Sequence, residues 1–113
     1  MQQEKRLRTT SDFAAIRAKG RAIHSPLLTL SWLTKVDQKP RFGFITGKRI
    51  GNAVVRNRTK RRLRAIIEKY QMTIAEGYDI VVIAHVSAAT CPFILLEEDV
   101  VKLLRRAKLI KVT

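Results

Sequence analysis

A run of positive charge over residues 48–64 constrains this chain more than any other feature of its sequence. The run holds eight Lys or Arg residues and no Asp or Glu. Asn52 is a good helix cap, and apolar residues recur after it with helical spacing as far as Tyr70, so residues 53–70 are predicted to form an amphipathic helix. Like charges this dense destabilise a helix because neighbours three and four apart repel. We therefore expect the cationic face to meet an external polyanion.

The charge of the whole chain supports this expectation. Its 113 residues include 23 Lys plus Arg against 9 Asp plus Glu, which gives a formal net charge of +14. Residues 1–70 hold 18 of the bases and 4 of the acids, whereas residues 71–113 hold 5 of each, so the entire excess lies in the first part. A generally basic, solvated surface is the alternative. The asymmetry favours a polyanionic partner.

The remaining segments predict a small mixed fold. A short helix over residues 9–19 stops at Gly20, and Ile23 is a candidate for a very short strand. Residues 27–34 and 41–47 alternate as strands, and we expect them to pair as a hairpin across a polar turn at residues 36–40. Residues 78–84 form a β-branched run that is typical of a central strand. With a last helix over residues 94–108, the order indicates an α+β sandwich of helices packed on one sheet.

Length and hydropathy exclude several classes of protein. One domain over residues 1–113 is the expectation, because the apolar content suits a single modest core. No segment approaches the roughly 18–20 apolar residues that a membrane span requires, and residues 1–20 lack a secretory apolar core. We expect an unexported, cytoplasmic protein with no membrane partner. Cys91 is the only cysteine, which excludes an intramolecular disulfide.

The sequence predicts no catalytic and no metal-binding residues. The acids at residues 97–99 lie in the early turns of the last predicted helix, where negative charge interacts favourably with the helix dipole. Because the three residues are consecutive, their side chains cannot all face one metal ion. His24 and His85 have no partner at ligand spacing, and we interpret both as interior or strand-end histidines. A protein nuclease that uses Asp79, Asp99 and a metal is the weakest alternative. No protein partner is evident.

Residues 50–64, with the sequence IGNAVVRNRTKRRLR, closely resemble the Arg-Asn-Arg signature helix of the bacterial ribonuclease P protein component. The resemblance covers roughly residues 4–108, in the order and spacing of that family, and a motif of this length is specific. The further matching segments are residues 6–8, residues 11–13, Gly20, residues 41–43, residues 48–49 and residues 78–82.

The resemblance implies a four-stranded sheet in a two-layer α-β-β-β-α-β-α arrangement, with a left-handed β-α-β crossover around the signature helix. The usual rule would predict a right-handed crossover. It also implies a protein cofactor of ribonuclease P, an enzyme in which the catalytic RNA and its bound Mg²⁺ remove the 5′ leader of precursor tRNA. The implied partners are therefore the catalytic ribonuclease P RNA and precursor tRNA. A general basic RNA-binding or ribosome-associated protein of similar fold is the alternative function.

The same resemblance implies two groups of site residues. The first group belongs to the signature helix and its preceding loop and meets the catalytic RNA: Lys48, Arg49, Asn52, Arg56, Asn57, Arg58, Lys60, Arg61 and Arg64. The second group lines a cleft for the single-stranded leader between the first helix and the sheet: Phe13, Arg17, Thr29, Ser31 and Ile45. Phe13 matches the aromatic residue of the family. Arg17 and Ser31 replace common aromatic residues, so leader binding is expected to depend less on stacking and more on charge.

Overall fold

The computed structural model describes residues 10–35 and 40–110 and contains three α-helices and a four-stranded sheet. This confirms the predicted α+β class and the order of elements, including the very short strand at Ile23. The predicted turn at residues 36–40 falls almost wholly outside the described residues. The elements are α1 (Thr10–Lys19), β1 (Arg21–His24), β2 (Leu28–Thr34), β3 (Arg41–Thr46), α2 (Ala53–Tyr70), β4 (Tyr78–Ala84) and α3 (Phe93–Arg106), with 3₁₀ turns at Lys48–Ile50, Gln71–Thr73 and Val86–Ala89.

The strands lie in the order β1-β2-β4-β3. β2 is antiparallel to both β1 and β4, whereas β3 is parallel to β4. The predicted hairpin of β2 with β3 is therefore wrong, because β4 lies between them. Alternation identifies a strand with one apolar face, but it does not identify the neighbour of that strand. The β-branched run of β4 takes the central position that its sequence predicts.

The connection from β3 through α2 to β4 joins two adjacent parallel strands. Parallel neighbours cannot be joined by a tight turn, so the chain must cross one face of the sheet and return. The signature helix forms this crossover and is thereby held on the sheet at both of its ends. Its left-handed sense, which the family resemblance implies, stays a prediction.

The main core lies between one face of the sheet and the two longer helices. Leu28 and Leu30 of β2, Phe42 of β3 and Ile80 of β4 point into it and are at most 1% exposed. Helices α2 and α3 cover them with seven buried apolar side chains, namely Leu63, Ile66, Ile67, Leu96, Val100, Leu103 and Leu104. This burial fixes which face of α2 can point to solvent.

A smaller apolar cluster lies on the opposite face of the sheet, under α1. Ile16 of α1 and Val81 of β4 are each 2% exposed, and Phe13 packs against them partly exposed. Gly20 ends the helix at a point where a β-carbon would collide with the backbone oxygens of Ile16 and Trp32. Because α1 is only ten residues long, it covers this face only in part, and Leu33, Ile45 and Ile83 pack against the cluster while partly exposed. We refer to this partly covered strip beside the helix as the cleft.

Candidate nucleic-acid interface

The loop before α2 projects two cations beside the start of that helix. Ile50 anchors the loop in the core at 7% exposure, while Lys48 and Arg49 are exposed. Gly51 has a φ of 147°, and a β-carbon there would come within 3.1 Å of the Val55 side chain. A left-handed glycine is therefore required for the chain to enter the helix directly from the basic turn.

Asn52 caps α2 as its sequence predicts. Its Oδ1 accepts a hydrogen bond from the backbone N–H of Val55 at 3.0 Å. No acidic residue occupies the first turn of α2. The positive end of the helix dipole is therefore not balanced by a local carboxylate, and it adds to the charge of Lys48 and Arg49. This end of the helix is suited to an anion.

The predicted RNA-binding residues all keep access to solvent along α2 and its preceding loop. Six of them are exposed, and Arg56, Lys60 and Arg64 are partly exposed. The buried side of the helix is formed by Thr59, Leu63, Ile66 and Ile67, which leaves the cationic side facing outward. We call the group the signature surface, and it comprises Lys48, Arg49, Asn52, Arg56, Asn57, Arg58, Lys60, Arg61 and Arg64.

Two arginines of α2 bind the protein itself. Arg62 donates to the carbonyl oxygens of Ala88 at 3.3 Å and Cys91 at 2.6 Å, and its guanidinium lies 5.8 Å from the centre of the Phe93 ring. Arg58 donates to the carbonyl oxygen of Ala89 at 3.3 Å. These carbonyls lie at the turn that leads into α3, so Arg62 in particular fastens the signature helix to the next element. Sequence reasoning placed Arg58 in the interface and assigned no role to Arg62.

Arg64 lies at the border between the signature surface and the sheet. Its guanidinium is 5.9 Å from the centre of the Phe44 ring, within the range of a cation–π contact. Phe44 itself packs against the main core. This contact orients Arg64 along the side of β3 instead of leaving it to extend freely into solvent.

The predicted cleft residues lie on the face of the sheet that α1 covers. Phe13 and Ile45 belong to the small cluster around Val81, whereas Arg17 is exposed on α1. In the register of the sheet, Ser31 is directly opposite Val81. The structure therefore brings these residues together along one side of α1, with apolar side chains at the floor and Arg17 at the rim.

Thr29 forms part of the floor of the cleft at 8% exposure, and its hydroxyl lies between two histidines. Thr29 Oγ1 is 2.8 Å from His24 Nδ1 and 2.7 Å from His85 Nε2. His85 Nδ1 lies 3.3 Å from the carbonyl oxygen of Pro26, which only accepts, so that nitrogen is the donor. In the neutral state His85 Nε2 then accepts from Thr29, and Thr29 accepts from His24. The interpretation of both histidines as structural agrees with this chain of hydrogen bonds.

The carboxylates of Asp79, Asp99 and Glu97 each hold a structural contact. Asp79 is 1% exposed and forms an ion pair with Arg41, and Asp99 accepts a hydrogen bond from Ser25 Oγ. Hydrogen bonds from Lys69 and Tyr70 hold the pKa of Glu97 below its usual value. Over residues 10–35 and 40–110, no three His, Cys, Asp or Glu side chains come together as a candidate metal site.

The fold and the signature surface together define a small α+β protein with one cationic helix face directed to solvent. Among the described helices, none is both long enough and apolar enough to cross a membrane. The ribonuclease P family model matches residues 1–108 of the chain. The chain therefore belongs to the ribonuclease P protein family, and it acts as the protein subunit of ribonuclease P in tRNA 5′ processing with the ribonuclease P RNA as its partner.

Individual relatives agree with the family match over nearly the full chain. The ribonuclease P protein component of Syntrophomonas wolfei is 34% identical over 109 residues, covering 96% of this chain and 92% of that protein. That of Symbiobacterium thermophilum is 37% identical, covering 98% and 97%. Among solved structures, the RNase P protein of Staphylococcus aureus superposes with a TM-score of 0.88 at 26% identity, covering 95% of this chain and 98% of that chain. The Thermotoga maritima protein gives 0.82 at 28% identity, covering 89% and 96%.

Proposed function

We propose that the signature surface binds the catalytic RNA, that the cleft beside α1 binds the 5′ leader of precursor tRNA, and that both events take place in the cytoplasm. The observation that supports the first part is the signature surface, whose nine polar or cationic residues on α2 and the loop before it all keep access to solvent. Planar guanidinium groups suit phosphate oxygens because they donate two parallel hydrogen bonds.

The contribution of this surface is electrostatic. Phosphates of the catalytic RNA and of the substrate repel each other as the two RNAs approach, and Lys and Arg side chains reduce that repulsion. A surface of cations and asparagines is a poor ligand set for Mg²⁺, which prefers carboxylate and phosphate oxygens. In this proposal the Mg²⁺ ions are held mainly by the RNA, and the protein lowers the Mg²⁺ concentration that cleavage requires.

The cleft offers a different kind of contact. Phe13 is partly exposed beside the sheet, and Arg17 is exposed four residues later on the same side of α1. A base of a single strand can lie against the Phe13 ring while a phosphate meets Arg17, since every base has an apolar face. Ser31 adds a hydroxyl in place of an aromatic ring. This arrangement supports a leader contact with one stacking residue and more dependence on charge.

Leader cleavage at low Mg²⁺ tests the proposal. The substrate is a precursor tRNA, and the three reactions contain the protein alone, a bacterial ribonuclease P RNA alone, and the two together. We expect cleavage only in the combined reaction, with the Mg²⁺ requirement of the RNA reduced. Cleavage by the protein alone would restore the protein-nuclease alternative. Absence of any stimulation would favour a general RNA-binding role for this surface.

A mature tRNA of the same sequence, which lacks the 5′ leader, is the matched control for binding in the cleft. If the cleft binds the leader, the holoenzyme binds the precursor more tightly than the mature tRNA, and that difference falls when Phe13 or Arg17 is truncated. Equal loss for both ligands would assign the two residues to the fold alone.

A further inference from the structure

A second basic groove lies at the other edge of the sheet, around the only tryptophan in the chain. Trp32 of β2 is partly exposed, and two adjacent depressions of about 410 and 570 Å³ share its side chain. Each has the size of a small-molecule site. We call this region the Trp32 groove, and its lining includes Lys19, Arg21, Trp32, Arg106, Ala107 and Lys108.

Within the described parts of the chain, the cations of the Trp32 groove have no acidic residue beside them in its lining. Among the described residues, no Asp or Glu lines either depression, and no hydrogen bond or ion pair engages its four cations. The groove between α2 and α3 differs, because there Lys102 and Arg105, with Arg106 at the border of both grooves, are accompanied by Glu97 and Glu98. Among the described residues, the lining of the Trp32 groove thus combines an aromatic ring with four cations and no acid.

The register of the sheet brings the tryptophan and one arginine together. Arg21 of β1 is directly opposite Trp32 in the antiparallel β1–β2 pair. Side chains directly opposite in such a pair project from the same face at close range. A guanidinium and an indole therefore stand side by side at the edge strand, and both are groups on which a nucleobase stacks.

The backbone conformation of Lys108 is a further indication that the groove has a function. Its φ is 59°, and it is the only residue besides glycine with a positive φ in the described parts of the chain. This conformation after a helix ordinarily selects glycine or asparagine, because a β-carbon is strained there. A lysine at this position places its charge over the groove at some cost in stability.

We propose that the Trp32 groove is a second RNA-binding site, which takes a single-stranded segment by stacking a base on Trp32 and pairing phosphates with Arg21 and Lys108. It lies at the β1 edge, while the signature helix follows β3 at the opposite edge of the sheet. The two sites can therefore engage separate segments of RNA. The proposal goes beyond the function given above and does not depend on the leader cleft.

The fluorescence of Trp32 tests this directly, because no other tryptophan contributes to the emission. The probe is a six-nucleotide single-stranded oligoadenylate added to the full-length protein. Stacking is expected to quench the emission in a saturable way. Lys108→Gly is expected to weaken the affinity about fivefold while the protein becomes no less stable, since glycine relieves the strained backbone. Arg21→Gln combined with Lys108→Gly is expected to weaken it at least about tenfold.

Two control variants separate this site from its surroundings. Lys102→Gln with Arg105→Gln removes the same charge from the outer side of α3 and should change the affinity by no more than about twofold. Arg61→Gln, on the signature surface, should leave the quenching intact even though it weakens binding of the catalytic RNA. The proposal is overturned if the labelled oligonucleotide binds without changing Trp32 emission, or if Arg61→Gln reduces the quenching as much as Lys108→Gly does. Neither result alters the outcome of the leader-cleavage experiment.

Discussion

Arg41 and Asp79 form a two-pronged ion pair across the parallel strands β3 and β4. Arg41 Nε donates to Asp79 Oδ1 at 2.9 Å, and Nη2 donates to Oδ2 at 2.7 Å. The two residues are directly opposite in the strand register, and the side chains are 28% and 1% exposed. The pair thus joins the first residue of β3 to β4 at the point where the crossover through α2 returns to the sheet.

Arg41→Ala is expected to destabilise the protein by about 3 kcal/mol, because it leaves the Asp79 carboxylate buried without its cation. Urea unfolding followed by circular dichroism measures this loss. In the double variant with Asp79→Ala, part of the loss should be recovered, since no buried charge then remains. A loss below about 1 kcal/mol for Arg41→Ala would place this contact among ordinary surface pairs.

Arg61 and Arg62 are expected to separate binding from stability, although they are neighbours in the chain. Arg61 is exposed, so Arg61→Ala should weaken association with the catalytic RNA by roughly 1–3 kcal/mol and leave the unfolding midpoint unchanged. Arg62 binds two carbonyl oxygens, so Arg62→Ala should lower the free energy of unfolding by about 2 kcal/mol.

Each of these variants is the control for the other. Filter binding at two salt concentrations gives the RNA affinity, and urea titration gives the stability. If Arg61→Ala binds RNA normally at both low and high salt, the signature surface does not make the proposed contact there. If Arg62→Ala is as stable as the parent protein, the hydrogen bonds of Arg62 to the turn before α3 make no net contribution to the free energy of unfolding.

The sequence predicted the elements of this fold better than their neighbours. Alternation identified β2 and β3, and the β-branched run of residues 78–84 identified a central strand. The hairpin was nevertheless wrong, because nothing in the local pattern of β2 or β3 shows that β4, which follows only after α2, inserts between them. Pairing over such separations depends on the whole core, here on how α2 and α3 cover one face.

The predicted site shows the same limit at the level of single side chains. The run of bases located the cationic helix, but Arg58 and Arg62 differ from Arg61 only in what lies beside them. Helical spacing offers a partial signal, since both lie at the edge of the apolar side that contains Val55 and Ile66. Their carbonyl partners come from a turn 26 to 31 residues further along the chain, which the spacing does not reveal.

Phe13→Ala is expected to reduce the preference of the holoenzyme for precursor over mature tRNA. Phe13 packs partly exposed in the cleft cluster, so its removal takes away one stacking surface, a contact of about 1–3 kcal/mol. Affinities of both tRNAs are measured by gel shift at constant Mg²⁺. Phe13→Leu keeps the apolar contact with the sheet and removes the ring, so it should retain stability while losing the same preference. Full preference in the leucine variant would mean that Phe13 serves only to pack α1.

The hydrogen-bonded network of Lys69, Tyr70 and Glu97 should make the free energy of unfolding depend on pH. Lys69 Nζ and Tyr70 OH donate to Glu97 Oε2 at 2.9 and 2.8 Å. These bonds lower the pKa of Glu97 and raise the pKa of Lys69 and that of Tyr70. The contribution of Glu97 is therefore present above its unfolded pKa near 4.5 and lost as the pH falls through the lower folded value.

At alkaline pH the change of stability with pH has the opposite sign. The raised pKa of Tyr70 gives a contribution that is complete below its usual value of 10.0 and is lost as the pH rises through the folded value. Urea midpoints of the parent and of Glu97→Gln, measured against pH, should differ by a constant amount between about pH 5 and 9 and converge on both sides. A difference that does not change with pH would show that the network contributes only packing.

Anions that bind the signature surface are expected to stabilise the free protein. Its dense like charges repel one another, and a ligand that binds only the folded state at one hundred times its dissociation constant adds about 2.7 kcal/mol. Thermal unfolding in inorganic phosphate is compared with unfolding in chloride of equal ionic strength, so that general screening is the same. Lys60→Gln with Arg61→Gln should remove most of the extra stabilisation, whereas Lys102→Gln should retain it. Equal midpoints in phosphate and chloride would mean that the surface is screened by salt without holding an anion, and the binding of RNA phosphates there would then depend on contacts that only the folded RNA supplies.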